Sequence, residues 1–228
     1  MSSRQESLAP SLPLQGGRPE ATDARVPRFG PTERFAHWWT VLMVAAALLT
    51  GLGLGGEAES GPLLIMHVGA VVLIGAGLAA ALIFGDRRAL LRSAHRLFSF
   101  DRRDAAWAQA RVQHPFARDL HREWGMFNTG QKFLAWALSA SVAAVVVTGV
   151  QSWSAGGDGG GAHGATVVVC MVLLGAHVFM AIVNPATRPA LAGMVFGHVQ
   201  RSWAAKHHGA WLDDVDLRAT ELPRRERL

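Results

Sequence analysis

Four histidines, His37, His67, His163 and His177, lie within long apolar stretches that contain no Asp, Glu, Lys or Arg. Ionisable side chains at membrane depth are costly and mark functional sites by default. The chemistry open to this sequence is therefore imidazole chemistry: ligation of a metal or of haem iron, or handling of protons. His177 follows His163 by fourteen residues, which on an α-helix is a rise of about 21 Å and close to four turns, so the two face the same way. The other six histidines (His95, His114, His121, His198, His207, His208) fall in basic segments outside the apolar stretches.

The elements that must position the four are membrane spans. Half of the 228 residues are hydrophobic and 17% are charged, and the apolar ones gather in blocks at about 35–56, 62–84, 133–153 and 163–183. Each block is close to the ~20 residues a helix needs to cross ~30 Å of hydrocarbon. A backbone in lipid must satisfy its own hydrogen bonds, so such runs are read as helices. Pro31-Thr32-Glu33 starts the first and Asn184-Pro185 stops the last. The fold class expected is all-α, an integral membrane four-helix bundle. A soluble enzyme is excluded, as is disorder except at the ends. The single cysteine, Cys170, excludes a disulfide framework, iron–sulfur ligation and covalent c-type haem attachment. It lies mid-span as a small apolar packing residue.

The net charge is +5, with a pI near 10.8. All 22 Lys and Arg residues lie in the N-terminal tail, the 85–132 loop and the C-terminal tail, whereas the links 56–61 and 154–162 hold acids and no base. The positive-inside rule places both termini and the long loop in the cytoplasm of a cell whose inner (plasma) membrane the chain spans. That bias accounts for the charge, so no nucleic-acid partner is implied. Residues 1–27 are expected to be a disordered cytoplasmic tail rather than a secretory signal. Residues 213–228 are expected to be a second tail, and about 190–207 an interfacial helix docked under the bundle. Trp38, Trp39, Trp136 and Trp153 suit an aromatic belt.

Topology gives each histidine a depth. His67 and His163 come near the outer surface, and His37 and His177 near the inner. Two ligands from different helices at two depths suit two stacked b-type haems, each held by two imidazoles in the bundle core. Gly51, Gly53, Gly55, Gly56, Gly69, Gly75 and Gly77 leave room for flat rings, although close helix packing uses glycine in the same way. One shared metal site fails on distance, because the pairs are about 20 Å apart and zinc needs its ligands within ~2.3 Å. A rival reading is unrelated interhelical hydrogen bonds, or a haem-free transporter or scaffold, though the lack of intramembrane carboxylates argues against a proton-coupled carrier. Leu48-Leu49-Thr50-Gly51 is echoed by Val146-Val147-Thr148-Gly149 late in the other outward span. Four residues are too few to carry a duplication.

Four stretches resemble the cytochrome b (gamma) subunit of membrane-bound respiratory formate dehydrogenases. They are Arg28-Phe29 with Glu33-Arg34-Phe35-Ala36-His37-Trp38; His67 with Gly69; Phe127-Asn128-Thr129-Gly130-Gln131-Lys132; and the His163/His177 span followed by Met194 to Trp211, with Ser202-Trp203-Ala204-Ala205-Lys206-His207-His208 inside it. The similarity covers residues 28–212, and the Phe-Asn-x-Gly-Gln-Lys string is its most specific part. The four-histidine layout alone is shared with the cytochromes b of hydrogenases and sulfur-compound reductases.

The resemblance implies two haem b groups with this ligand pattern, and a quinone site (menaquinone or ubiquinone) at the cytoplasmic end involving Asn128, Gly130 and Gln131. Without the resemblance, Asn128 and Thr129 serve equally as a cap for the third span. Arg28, Arg34 and Lys132 are candidates for pairing with haem propionates, their plain role being interfacial snorkelling. His207 and His208 suit a proton path or simply the interfacial helix. The implied partners are an iron–sulfur (beta) subunit and, through it, a molybdenum or tungsten formate-oxidising (alpha) subunit, in a complex that admits a higher oligomer. The chain itself holds no residues for formate oxidation. The loop 85–132, rich in Arg and Trp, is a candidate docking surface.

Overall fold

The computed structural model describes residues 24–54, 61–113, 124–156 and 160–225. Residues 1–23 of the expected tail, most of the two short links and residues 114–123 of the long loop lie outside that range. The elements in chain order are β1 (Arg25–Pro27), α1 (Pro31–Leu54), α2 (Gly61–Phe84), α3 (Arg87–Phe98), α4 (Arg102–Gln113), α5 (Thr129–Ser154) and α6 (Gly160–Val178). A π-helical turn (Phe179–Val183) and a 3-10 turn (Arg188–Ala190) follow, then α7 (Leu191–Phe196), β2 (His198–Gln200), α8 (Arg201–His207) and α9 (Gly209–Arg225).

Four helices are long and apolar enough to cross a membrane: α1, α2, α5, and α6 with its π-helical extension. The chain is an all-α integral membrane protein. α1 and α5 begin about four residues before the apolar blocks, and local chemistry explains both starts. Pro31 opens α1, where a fixed φ and a missing N–H cost nothing. Asn128 caps α5.

The spans form two antiparallel hairpins, α1–α2 and α5–α6, and among the described residues their backbones pack closely only within each hairpin. In the first, the indole of Trp39 lies across Gly77, where a Cβ would overlap the ring, and donates its Nε1–H to the Leu73 carbonyl at 2.7 Å. Trp39 therefore turns into the hairpin, while Trp38, Trp136 and Trp153 stay exposed as a belt requires.

The hairpins meet at the basic end, where α3 ties them together. Asp86 caps α3 by accepting the Ala89 N–H at 2.9 Å, and its own N–H donates to Thr32 at the start of α1. Ser93 of α3 donates to Glu33 of α1 at 3.0 Å, and Trp136 of α5 donates to the Phe98 carbonyl at the end of α3. The segment expected as a loop thus holds a bracing helix, which its apolar stripe lays against the spans.

Three expectations at the termini are corrected. Arg25–Pro27 does not belong to a disordered tail: it pairs antiparallel with His198–Gln200, Val26 opposite Val199. The interfacial helix expected over 190–207 is broken at Gly197, whose φ of 86° ends α7 in the left-handed region that glycine adopts without strain. Residues 213–225 continue α9 and do not form a tail. Trp211, Leu212 and Val215 fall on one helical face and join Val26, Met126, Val199, Trp203 and Ala204 in the main buried cluster. The protein's core is thus a cap under the basic end, and the spans keep their apolar surface for lipid.

Gly77→Ala is expected to displace Trp39 and loosen α1 from α2, lowering the melting temperature of the detergent-purified protein. An unchanged melting curve would count against this packing.

Candidate functional site

The structure brings the four histidines together as two facing pairs that bridge the hairpins. The rings of His67 on α2 and His163 on α6 have centroids 6.3 Å apart and lie at 86°. Those of His37 on α1 and His177 on α6 are 6.2 Å apart at 56°. A metal binds an imidazole nitrogen at about 2.0–2.1 Å, and that nitrogen lies roughly 1.1 Å from the ring centre, so two imidazoles on opposite sides of one metal have centres about 6.3 Å apart. Both pairs stand at that separation.

Among the described residues no three His, Cys, Asp or Glu side chains converge on a point. Each pair therefore offers two opposed ligands and no equatorial set, the complement of a macrocycle that brings its own four nitrogens. A Cβ at Gly69, Gly75, Gly164 or Gly175 would meet nothing within 4 Å, so the spans stand open at these positions. Gly51 and Gly77 instead serve close approach, to His67 and Trp39. Gly55 and Gly56 lie outside the described residues.

The ring nitrogens of the two pairs are treated differently. His67 Nδ1 lies 2.9 Å from the Ala47 carbonyl, and His163 Nδ1 lies 3.2 Å from the Val145 carbonyl. A carbonyl can only accept, so Nδ1 carries the proton in each and Nε2 is the nitrogen free to ligate. Among the described residues neither ring of the His37/His177 pair makes a hydrogen bond.

Asn128 and Gln131 form a reciprocal cap at the start of α5. Asn128 Oδ1 accepts the Gln131 N–H at 2.8 Å, and Gln131 Oε1 accepts the Asn128 N–H at 3.0 Å. The capping role that the sequence offered is thus real. It occupies both side-chain oxygens and does not use the two –NH2 groups, which are the donors a quinone carbonyl requires. Gly130 sits in the same turn with its Cα position open, a Cβ there meeting only Asn128 Oδ1 at 3.4 Å.

The segment leading into this cap is held from beneath. His208, almost fully buried, places Nδ1 at 2.8 Å from the Gly125 carbonyl, and Arg28 donates from Nη2 to the Met126 carbonyl at 2.7 Å. Phe29 packs against Phe127. These contacts were invisible in the sequence, because they join residues about 80 to 100 positions apart.

Arg28 is itself unusual. Its guanidinium lies 5.2 to 5.5 Å from the ring centres of Phe29, Trp203 and Trp211, and among the described residues its Nε and Nη1 have no hydrogen-bond partner. Burial lowers its pKa to about 10, which leaves it cationic at neutral pH. The aromatic faces offset part of the desolvation.

Lys132, a candidate for a propionate, pairs with Asp104 of α4 at 2.6 Å, with Asp104 buried and the lysine side chain 12% exposed. Thr129 also donates to Asp104 at 2.6 Å. Burial pushes the Asp104 carboxyl up, but hydrogen bonds from Lys132, Thr129 and the Asp101 N–H outweigh it and hold it below its usual range. Arg34 lines an open apolar groove with Phe35, Trp38, Leu42 and Val195 at the basic end. His207 stacks on Trp203.

A helical membrane bundle whose hairpins are bridged by two opposed imidazole pairs defines the class of a membrane cytochrome b. The chain matches the family of prokaryotic cytochrome b561 over residues 28–197, and it belongs to that family. Membership implies b-type haem. Among similar proteins is the cytochrome b556(Fdn) subunit of the nitrate-inducible formate dehydrogenase of Escherichia coli K12, 22% identical over 207 residues, covering 81% of this chain and 88% of that one. The cytochrome b556(fdo) subunit of formate dehydrogenase from the same strain is 23% identical over 198 residues, covering 82% and 92%. The formate dehydrogenase cytochrome b556 subunit of Haemophilus influenzae is 22% identical over 228 residues, covering 88% of each.

Asp104→Ala strands the Lys132 charge and is expected to cost about 3–5 kcal/mol of stability at pH 7, read from thermal or denaturant unfolding. Because the folded Asp104 pKa is depressed, its stabilisation is present above about pH 4 and is lost as the pH falls through the folded value. The gap between wild type and Asp104→Asn should therefore narrow on acidification.

Proposed function

We propose that this chain is the membrane cytochrome b subunit of a formate dehydrogenase complex. It carries electrons from an iron–sulfur partner at the outer surface, through two haem b sites, to quinone at the cytoplasmic end. The observation that carries this reading is the spacing of the two imidazole pairs, 6.3 and 6.2 Å between ring centres, which is the width of two ligands and one iron.

His67 and His163 would hold the outer haem, and His37 and His177 the inner. Haem b supplies a reversible one-electron couple at each depth, so that together the sites bridge the bilayer for electrons. The residues contribute orientation and a dry surround: apolar spans exclude water from between the hairpins, and opposed imidazoles fix the ligand set. Arg34, and Arg28 Nε and Nη1, which have no hydrogen-bond partner among the described residues, are donors of the kind a propionate accepts. Lys132 pairs with Asp104 instead.

For the quinone, Asn128 and Gln131 present amide –NH2 donors in a turn whose backbone is open at Gly130. A site at the cytoplasmic entrance of a span takes its protons from water on that side. Electrons moving inward with cytoplasmic proton uptake add to the proton gradient. Positive-inside charge supports this orientation, with both termini cytoplasmic in a bacterial inner membrane. Formate oxidation belongs to a separate molybdenum or tungsten subunit reached through the iron–sulfur partner. The similarity to formate dehydrogenase subunits over most of both chains supports this choice of partner over a hydrogenase or sulfur-compound reductase.

A dithionite-reduced minus oxidised spectrum with a pyridine haemochrome count is expected to give two b haems per chain. His67→Ala and His177→Ala should each lose one. A folded wild-type protein without haem would overturn the reading in favour of a haem-free carrier. Gln131→Ala is expected to slow quinone reduction at least tenfold, with both haems retained in the spectrum.

A further inference from the structure

The short echo between the two outward spans acquires a purpose in three dimensions. On α1, the Thr50 hydroxyl donates back to the Ala46 and Ala47 carbonyls at 2.7 and 3.1 Å. On α5, the Thr148 hydroxyl donates to the Ala144 and Val145 carbonyls at 2.8 and 3.2 Å. In each case the carbonyl three residues before the Thr also receives Nδ1–H of a histidine from the next helix, His67 or His163. Each Nδ1 lies 3.4 Å from the Thr oxygen itself.

The glycine that follows completes the arrangement. A Cβ on Gly51 would lie 3.1 Å from His67 Cε1, and one on Gly149 would lie 3.1 Å from His163 Cε1. Both rings therefore ride against bare backbone, in the same orientation relative to the same dipeptide. His67 and His163 are met this way, while His37 and His177 make no ring hydrogen bond among the described residues.

We propose that Thr50-Gly51 and Thr148-Gly149 are two copies of one clasp, which fixes the Nδ1–H tautomer of His67 and His163 and holds their rings crossed as axial ligands. This rests on the haem reading above. A ligand imidazole that donates its other N–H to a carbonyl is a stronger donor, and it stabilises the ferric over the ferrous state. The clasp therefore lowers the potential of the outer site relative to the unclasped inner site, and biases electrons inward. The 86° crossing of the outer rings carries its own signature, because perpendicular imidazoles give low-spin ferric haem a single strongly axial, large-g resonance, where parallel ones give a rhombic three-line spectrum. Thr50, Gly51, Thr148 and Gly149 are positioning residues in this scheme, since they act through the histidines.

The test is an EPR-monitored redox titration of the full-length chain carrying His37→Ala, in which the outer haem is observed alone. Its ferric signal should be of the large-g type. Adding Gly51→Ala or Gly149→Ala should push the ring off its carbonyl. The reduced-to-oxidised ratio at a fixed potential should then rise several-fold, and the signal should move toward rhombic. If either glycine variant fails to accumulate, Thr50→Val and Thr148→Val should still shift the ratio, because each removes the second donor to the carbonyl that the histidine uses, with Thr50→Ser and Thr148→Ser restoring it. Haem present but with unchanged ratio and line shape in the glycine or valine variants would overturn the clasp. Absence of haem from the wild type would instead overturn the reading it rests on.

Discussion

Two helical hairpins face each other across a gap that four imidazoles span, and the rest of the fold is arranged around keeping that gap at a fixed width. Apolar helices in lipid have no hydrophobic drive to close on one another, because the hydrocarbon around them is as apolar as their own side chains. Close packing is therefore confined to each hairpin, where Trp39 seats on Gly77, His67 on Gly51 and His163 on Gly149. Between the hairpins the paired imidazoles stand 6.3 and 6.2 Å apart, centre to centre.

Something must hold two loosely apposed hairpins in register, and that task falls to the basic end. α3 hydrogen-bonds to both, through Glu33 and Thr32 on one side and Trp136 on the other. Beneath it, the cap formed by the β1–β2 pair with α8 and α9 supplies the water-driven core that the spans lack. The same cap grips the Gly125–Phe127 segment through His208, Arg28 and Phe29. It thereby sets the position of the Asn128–Gln131 turn. Histidines and arginines that look in sequence like proton carriers or propionate partners thus also serve as struts under the turn proposed to meet quinone.

The two ends of the bundle consequently differ in kind. The end bearing the short links orients its histidines by backbone carbonyls within each hairpin, whereas the basic end relies on a buried, aromatic and charged layer outside the spans. That difference is what the proposed function asks for: a rigid, dry ligand set where electrons would enter, and access to water and protons where quinone would bind.

Sequence by itself determined the number of spans and placed the four histidines within them, because runs of apolar residues are local, one-dimensional quantities. It also singled out the Asn128 turn and left the choice between cap and ligand open; the structure shows the cap directly. Tertiary structure alone decided the rest. The Val26–Val199 pairing, the Arg28 aromatic enclosure and the Lys132–Asp104 pair depend on groups that meet only after the chain folds back on itself, and three-residue strands or single charges leave no periodic trace. The Thr-Gly echo shows the boundary most clearly. As four residues it was indistinguishable from chance, and it acquired meaning only when each copy was found against a histidine of the following helix, since a hydrogen bond between helices depends on distance and direction in space and not on separation along the chain.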